Sequence, residues 1–182
     1  MRHVMLFSYR MKKIAVIGNV AGGKTTLSRR LAEIYALPLI HVDSIQFLPG
    51  MQVRPYAESA AILTEIHKKE SWIIDGYGPL DIIFKRFEEA DCILFIDFPI
   101  WRHYFWCIKR QIKNIWKKRE ELPEGCSEAT FSHTVKLLKS IWTIHKGMRP
   151  ELLRILNRKN LCGKVVFIRS YSEWMRAYNK GL

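Results

Sequence analysis

The sequence predicts a three-layer α/β fold of the P-loop NTPase type: a parallel sheet of five strands with helices on both faces. Three observations predict it. Short apolar, β-branched runs alternate with segments of helical period from Lys13 to Tyr178, and such alternation implies parallel strands joined by helical crossovers. The first run passes into a helix through Gly18-Asn19-Val20-Ala21-Gly22-Gly23-Lys24-Thr25, which fits G-x-x-x-x-G-K-[ST]. Three carboxylates, Asp43, Asp75 and Asp97, each close a predicted strand, at the carboxyl edge where open parallel sheets bind ligands.

The elements follow in order. Lys13–Ile17 is apolar, β-branched and bounded by glycine, which predicts a buried strand. Lys24–Tyr35 carries Leu27, Leu31 and Ile34 at helical spacing. Pro38–Val42 is a second strand. Pro55–Glu70 is a helix whose apolar face begins at Ala57, Ala61 and Ile62. Trp72–Ile74 is a third strand, ending at Asp75-Gly76, and Pro79–Glu89 a short helix. Cys92–Ile96 is a fourth strand, ending at Asp97. Ile100–Lys118 is a long helix, on which Trp101, Phe105, Ile108, Ile112 and Ile115 form one apolar stripe. Aromatic residues at that spacing are expected in a core. A polar turn, EELPEGCS, precedes a helical region from Ala129 to Asn157, expected to break near Gly147 and Pro150. Lys164–Ile168 is the fifth strand, and Tyr171–Tyr178 the closing helix.

The chain has 182 residues, 48% of them hydrophobic, enough for a single domain with a real core. That domain is expected from residue 11 to 182, with residues 1–10 as an N-terminal extension. No apolar run reaches the ~18 residues of a membrane span, and no secretory signal is evident. The four cysteines form no Cys-x-x-Cys pair and the six histidines have no zinc-ligand spacing; reduced thiols in a cytoplasm are expected. The net charge of +13 favours anionic partners. It concentrates between Pro99 and Asn160, where 14 lysines and arginines face five acidic residues. Charge alone does not choose among phosphate-bearing partners.

The glycine-rich stretch can. Glycines at 18, 22 and 23 let the backbone wrap closely and aim its N–H groups inward, and the helix that follows adds the positive end of its dipole. Lys24 would reach the β- and γ-phosphates, the Thr25 hydroxyl would ligate Mg²⁺, and Thr26 would contact the α-phosphate region. Asp75, at a strand tip beside this loop, would hold the same Mg²⁺ through water.

Further segments, taken in order, carry a resemblance. They are GNVAGGKTTLSRRLA, PLIHVDSIQFLPG, WIIDGY, FKRFEEADCILFIDFP, IKRQIK, REELPEGCSE, IW, RPELL and VVFIRSYSE. Over nearly the whole chain from Met11, the sequence resembles the adenylate-kinase-related P-loop kinases of the DNA topology modulation protein family. The resemblance implies strand order 2-3-1-4-5, a helical lid at roughly residues 106–130 and ATP as phosphate donor, with a small acceptor that it does not define. Three segments depart from the family's pattern: DGYG stands for DGNY, Phe47 and Met51 for tryptophans, and Trp106 for the first of two lid arginines.

By the same resemblance Arg110 and Arg119 are the lid arginines that would bridge donor and acceptor phosphates. Arg102, Lys109, Lys113 and Lys117 read as surface charge. Asp43 would orient or deprotonate an acceptor hydroxyl, or else cap the turn into Ser44. Arg86 would hold the acceptor, or pair with Glu89 at the surface. His41 reads as structural. Asp97 would fix the exit of its strand, Arg149 would face the site or start a helix, and Ser170 lies where related kinases wrap adenine. Two functions fit: an ATP-dependent small-molecule kinase, or a nucleotide-dependent nucleic-acid-binding protein. The second rests on charge and tryptophans without a recognition motif. Oligomeric state is not readable.

Overall fold

The computed structural model describes residues 11–114 and 131–182. The expected extension, residues 1–10, and most of the expected lid lie outside the described residues.

A parallel sheet of five strands forms the centre: β1 (Lys13–Gly18), β2 (Leu39–His41), β5 (Trp72–Asp75), β6 (Cys92–Ile96) and β7 (Val165–Ile168). Their spatial order is β2-β5-β1-β6-β7, which is the expected 2-3-1-4-5 when only these five are counted. β1 lies between β5 and β6, with Val16 opposite both Asp75 and Leu94. That central seat explains its composition: a strand covered on both faces has no place for a polar side chain.

Alternate residues of each strand feed two cores. Ile14, Val16, Leu94 and Ile96 pack with Leu27, Leu31, Trp174 and Ala177, which come from α1 (Lys24–Tyr35) and α8 (Tyr171–Lys180). Ala15, Ile17, Ile74, Ile93 and Phe95 face the other way, against Leu63, Ile83, Phe87 and Leu152. These belong to α3 (Tyr56–His67), α4 (Leu80–Glu89) and α7 (Arg149–Leu156). Helices thus cover both faces. Among the described residues, no helix is long and apolar enough to cross a membrane.

Four expectations are corrected. The strand after α1 is shorter than read, and its end turns at once into α2 (Val42–Gln46), then a hairpin of β3 (Phe47–Leu48) and β4 (Gln52–Val53). Such two-residue strands leave no periodic trace. Arg54 fixes this excursion, its Nε donating to the Ile45 carbonyl at 2.7 Å. On α3, Ala57, Ala61 and Ile62 are exposed, and the buried face is Ser59, Leu63 and His67. On α5 (Ile100–Asn114), Trp101, Phe105, Ile108 and Ile112 stand 49–60% exposed, while His103, Cys107 and Gln111 turn inward. Finally, Arg86 does not reach the surface. It is 1% exposed, and Glu89 pairs with Lys13 instead, at 3.2 Å.

The helical region after the expected lid changes character where expected. α6 (Phe131–Thr143) runs into a π-helical turn, Ile144–Met148, before α7 begins. Pro150 in the first turn of α7 has no N–H to continue the upstream ladder.

Candidate active site

The loop between β1 and α1 crosses the carboxyl edge of the sheet. At Gly18 any Cβ would collide with the Ile96 carbonyl of the neighbouring strand, so only glycine lets β1 pass so close to β6. Gly23 opens α1 in the left-handed region, φ 76°, where a side chain is strained. A Cβ there would lie 3.1 Å from Trp174 Nε1 and 3.3 Å from Trp106 Cζ3. Thr25 lies at the start of α1, half-buried, and Thr26 is exposed.

Two side chains from this helix start meet groups across the sheet edge. Lys24 Nζ donates to the Asn19 carbonyl at 2.9 Å and lies 5.9 Å from the Tyr77 ring. The Thr25 hydroxyl donates to Asp75 Oδ2 at 2.7 Å. Asp75 is 5% exposed, and its other oxygen, Oδ1, is buried without a hydrogen-bond partner. His41 Nδ1 stands 3.4 Å from Asp75 Oδ2. Asp43, in the first turn of α2, also approaches: a Cβ on Gly76 would lie 3.8 Å from Asp43 Oδ1. The ends of β1, β2 and β5 therefore bring Lys24, Thr25, Asp43 and Asp75 to one edge.

An unpartnered carboxylate oxygen beside a hydroxyl is a fit for a divalent cation. Among the described residues no group of three or more His, Cys, Asp or Glu could hold a metal alone. A cation here would need phosphate or water oxygens to complete its shell, the usual arrangement for Mg²⁺.

The other side of the loop is held by His103, which spacing did not single out, and by Asn19 of the motif itself. His103 on α5 is 1% exposed, and its Nδ1 lies 2.9 Å from the Val20 carbonyl. A carbonyl only accepts, so the ring carries its proton on Nδ1. Burial lowers the pKa of this imidazole to about 4, against the opposing pull of that hydrogen bond, so the ring is neutral near pH 7. Asn19 Nδ2 donates to the Ile141 carbonyl of α6 at 2.9 Å, and Asn19 Oδ1 accepts from the Val20 N–H at 2.7 Å. Ala21, between them and the glycines, sits at φ 55°. The helical period of α5 gave no signal for His103, because its apolar stripe pointed to the other face as the buried one. His103 shares a helix face with Cys107 and Gln111, opposite the apolar stripe.

Next to this lies a small cleft bordered by Asn19, Tyr77, Asp97, His103, His145 and Arg149. Asp97 and Arg149 form a two-pronged ion pair, Nε to Oδ1 at 2.6 Å and Nη2 to Oδ2 at 2.9 Å. The Asp97 hydrogen bond raises the Arg149 pKa above its ordinary value. Burial raises the Tyr77 phenol, with the Asp97 charge adding to it; the phenol stays protonated.

The remaining expected residues divide. Arg86 lies beneath the site: its Nη1 donates to the Gly76 carbonyl at 2.7 Å, behind Asp75. Burial lowers its pKa to about 10, and it remains a cation at neutral pH. Arg110 is half-buried on α5, two turns or ~10 Å along the helix beyond His103. Arg119 lies outside the described residues. Trp106, which replaces the first lid arginine, packs edge-on against Phe98, Tyr171 and Trp174. Arg102 spreads over this aromatic group, 5.8 Å from both Trp106 and Tyr171. Ser170 caps α8 through a reciprocal bond pair with Glu173.

Known proteins share this architecture. A shikimate kinase from Acinetobacter baumannii, solved in complex with shikimate, superposes with TM-score 0.57 at 13% identity, over 92% of this chain and 89% of that one. A gluconokinase from Sinorhizobium meliloti 1021 superposes with TM-score 0.55 at 16% identity, over 93% of this chain and 90% of that one. At such identities the shared property is the fold alone. No protein-family model matches the chain, and no curated protein matches it.

Proposed function

We propose that the chain is an ATP-dependent phosphotransferase, adenylate-kinase-like, of the DNA topology modulation protein family that its motifs resemble. It moves the ATP γ-phosphoryl group to a small nucleotide or hydroxyl-bearing acceptor in the cytoplasm. One observation carries the reading: the Thr25 hydroxyl meets the Asp75 carboxylate at 2.7 Å, and the other Asp75 oxygen is buried with no partner. A buried, half-satisfied carboxylate is costly without a ligand to complete it. The shared fold with two kinases named for small molecules supports the same reading.

In this proposal the amides from Gly22 to Thr25 cradle the triphosphate and Lys24 swings from the Asn19 carbonyl to the β- and γ-phosphates. Thr25 and Asp75 would hold Mg²⁺, which when bound offsets phosphate charge. Asp43 accepts the proton of the acceptor hydroxyl as its oxygen attacks phosphorus; the bond to the β-phosphate oxygen breaks and ADP leaves. Arg110 and Arg119 neutralise the transferring group, and Arg86 acts from below through the Gly76 carbonyl, which fixes the turn at the acceptor's edge.

The test is ADP release from ATP and Mg²⁺ against a panel of nucleosides, nucleotides and small alcohols. One acceptor should stimulate release strongly, and Lys24→Ala should cut that by ~10²-fold or more. A wild-type protein that ignores millimolar ATP and GTP would overturn the reading. DNA binding that survives Lys24→Ala, with no acceptor response, would favour the nucleic-acid alternative.

A further inference from the structure

We infer that His103 and Asn19 are positioning residues that clamp the Gly18–Thr25 loop to the two helices bordering the lid, so that loop shape and the α5–α6 packing move as one unit. This deepens the proposed function and rests on it. His103 holds the loop by one hydrogen bond and packs so close to Gly22 that a side chain there would crowd it. Its Nδ1–H holds the Val20 carbonyl at 2.9 Å, and its Cε1 would be 3.1 Å from a Cβ on Gly22. Asn19 makes the opposite attachment, donating to the Ile141 carbonyl on α6 at 2.9 Å.

The consequence is electrostatic. A loop that binds a polyphosphate must keep its carbonyls turned away, because each carbonyl oxygen facing the anion repels it. One carbonyl is turned away here by a donor from outside the loop: that of Val20, held by His103. The Val20 N–H is also taken, by Asn19 Oδ1 at 2.7 Å. Both polar backbone groups of Val20 are therefore satisfied within the protein, which leaves the amides from Gly22 onward for the ligand. The attachments reach α5 before the lid and α6 after it. A shift of either helix must therefore pull on the loop.

The hydrogen bond uses Nδ1, which gives a chemical test. An asparagine amide reproduces the position of Nδ1, and a glutamine amide that of Nε2. His103→Asn, His103→Gln and His103→Leu are compared with the wild-type full chain by calorimetric titration with ATP and Mg²⁺, melting temperature, and hydrogen exchange of the peptide covering residues 18–23. Affinity in His103→Asn should stay within ~3-fold of wild type. Loss of one buried hydrogen bond in His103→Gln and His103→Leu should weaken it about tenfold. In those two the 18–23 peptide should exchange faster, and the peptide spanning Ile141 with it. Equal affinity and equal loop exchange in all three variants, whatever their melting temperatures, would overturn the clamp. If wild-type protein binds no ATP, the proposed function falls, and the exchange of the ligand-free loop still decides the clamp by itself.

Discussion

Asp97 and Arg149 lie 52 residues apart in sequence and face each other through two hydrogen bonds, 2.6 and 2.9 Å. One ends the fourth strand of the sheet and the other starts α7, so the pair ties the far wall of the cleft to the sheet. The Asp97 side chain is only 5% exposed and that of Arg149 35%. Removing Arg149 leaves a buried charge alone, whereas removing the charge of Asp97 leaves a cation that water can reach. Arg149→Met should cost ~3 kcal/mol of unfolding free energy and Asp97→Asn clearly less. The double variant should recover part of the Arg149→Met loss. Urea unfolding of the three proteins measures this, and a strictly additive cycle would disprove the coupling.

Thr25 and Asp75 give a second prediction. Thr25→Val keeps the side-chain shape but strips Asp75 Oδ2 of its 2.7 Å donor. The loss should destabilise the free protein by ~1–3 kcal/mol and should remove the dependence of ATP affinity on Mg²⁺. Thr25→Ser should keep both. Titrations with ATP in Mg²⁺ and in EDTA distinguish the variants.

Acid should unfold this protein earlier than its carboxylates alone predict. His67 and His103 are 2% and 1% exposed, and burial lowers each pKa to about 4. Nearby cations add to the shift: Arg86, Lys13 and Lys85 around His67, and Lys24 and His145 around His103, where Asp97 opposes. An unfolded histidine takes up its proton near pH 6.5, and these two resist until about pH 4. Their contribution is complete above pH 6.5 and falls as pH drops from 6.5 to 4, by up to ~3 kcal/mol each. His103→Asn should flatten the slope of stability against pH in that window by about half of the histidine share, read from urea midpoints across pH 4–7.

Two glycines separate backbone strain from crowding. Gly23 and Gly50 both sit at φ 76°. Nothing lies within 4 Å of a Cβ at Gly50, whereas Gly23 would meet Trp174 and Trp106 at 3.1 and 3.3 Å. Gly50→Ala should cost ~1 kcal/mol, the left-handed penalty alone. Gly23→Ala should cost at least ~1 kcal/mol more, with a matching loss of ATP affinity. Thermal unfolding with and without ATP and Mg²⁺ checks both.

The sheet was legible in the sequence because buried parallel strands must be apolar on both faces. Cys92–Ile96 and Lys24–Tyr35 emerge with the bounds their patterns predict. The start of the site was legible for a related reason: close backbone approach demands glycine, and a helix start beside it marks the loop. Where two readings of one residue were open, the sequence held no deciding term. Arg86 is buried against the Gly76 carbonyl rather than paired with Glu89. Arg149, ambiguous by itself, resolves only as the partner of Asp97. The apolar stripe of α5 misled because periodicity gives the phase of a helix but not which phase faces the core.

The sequence by itself determined the layers, the five strands of the main sheet and the glycine-rich loop, since these follow from local sterics and from the need to bury apolar strands. Only the tertiary structure decided which side of α5 turns inward, that His103 and Asn19 hold the loop from two helices, and that Asp97 meets Arg149. Those contacts join residues tens of positions apart. They depend on the angles at which helices dock, and no local pattern of side chains encodes such an angle.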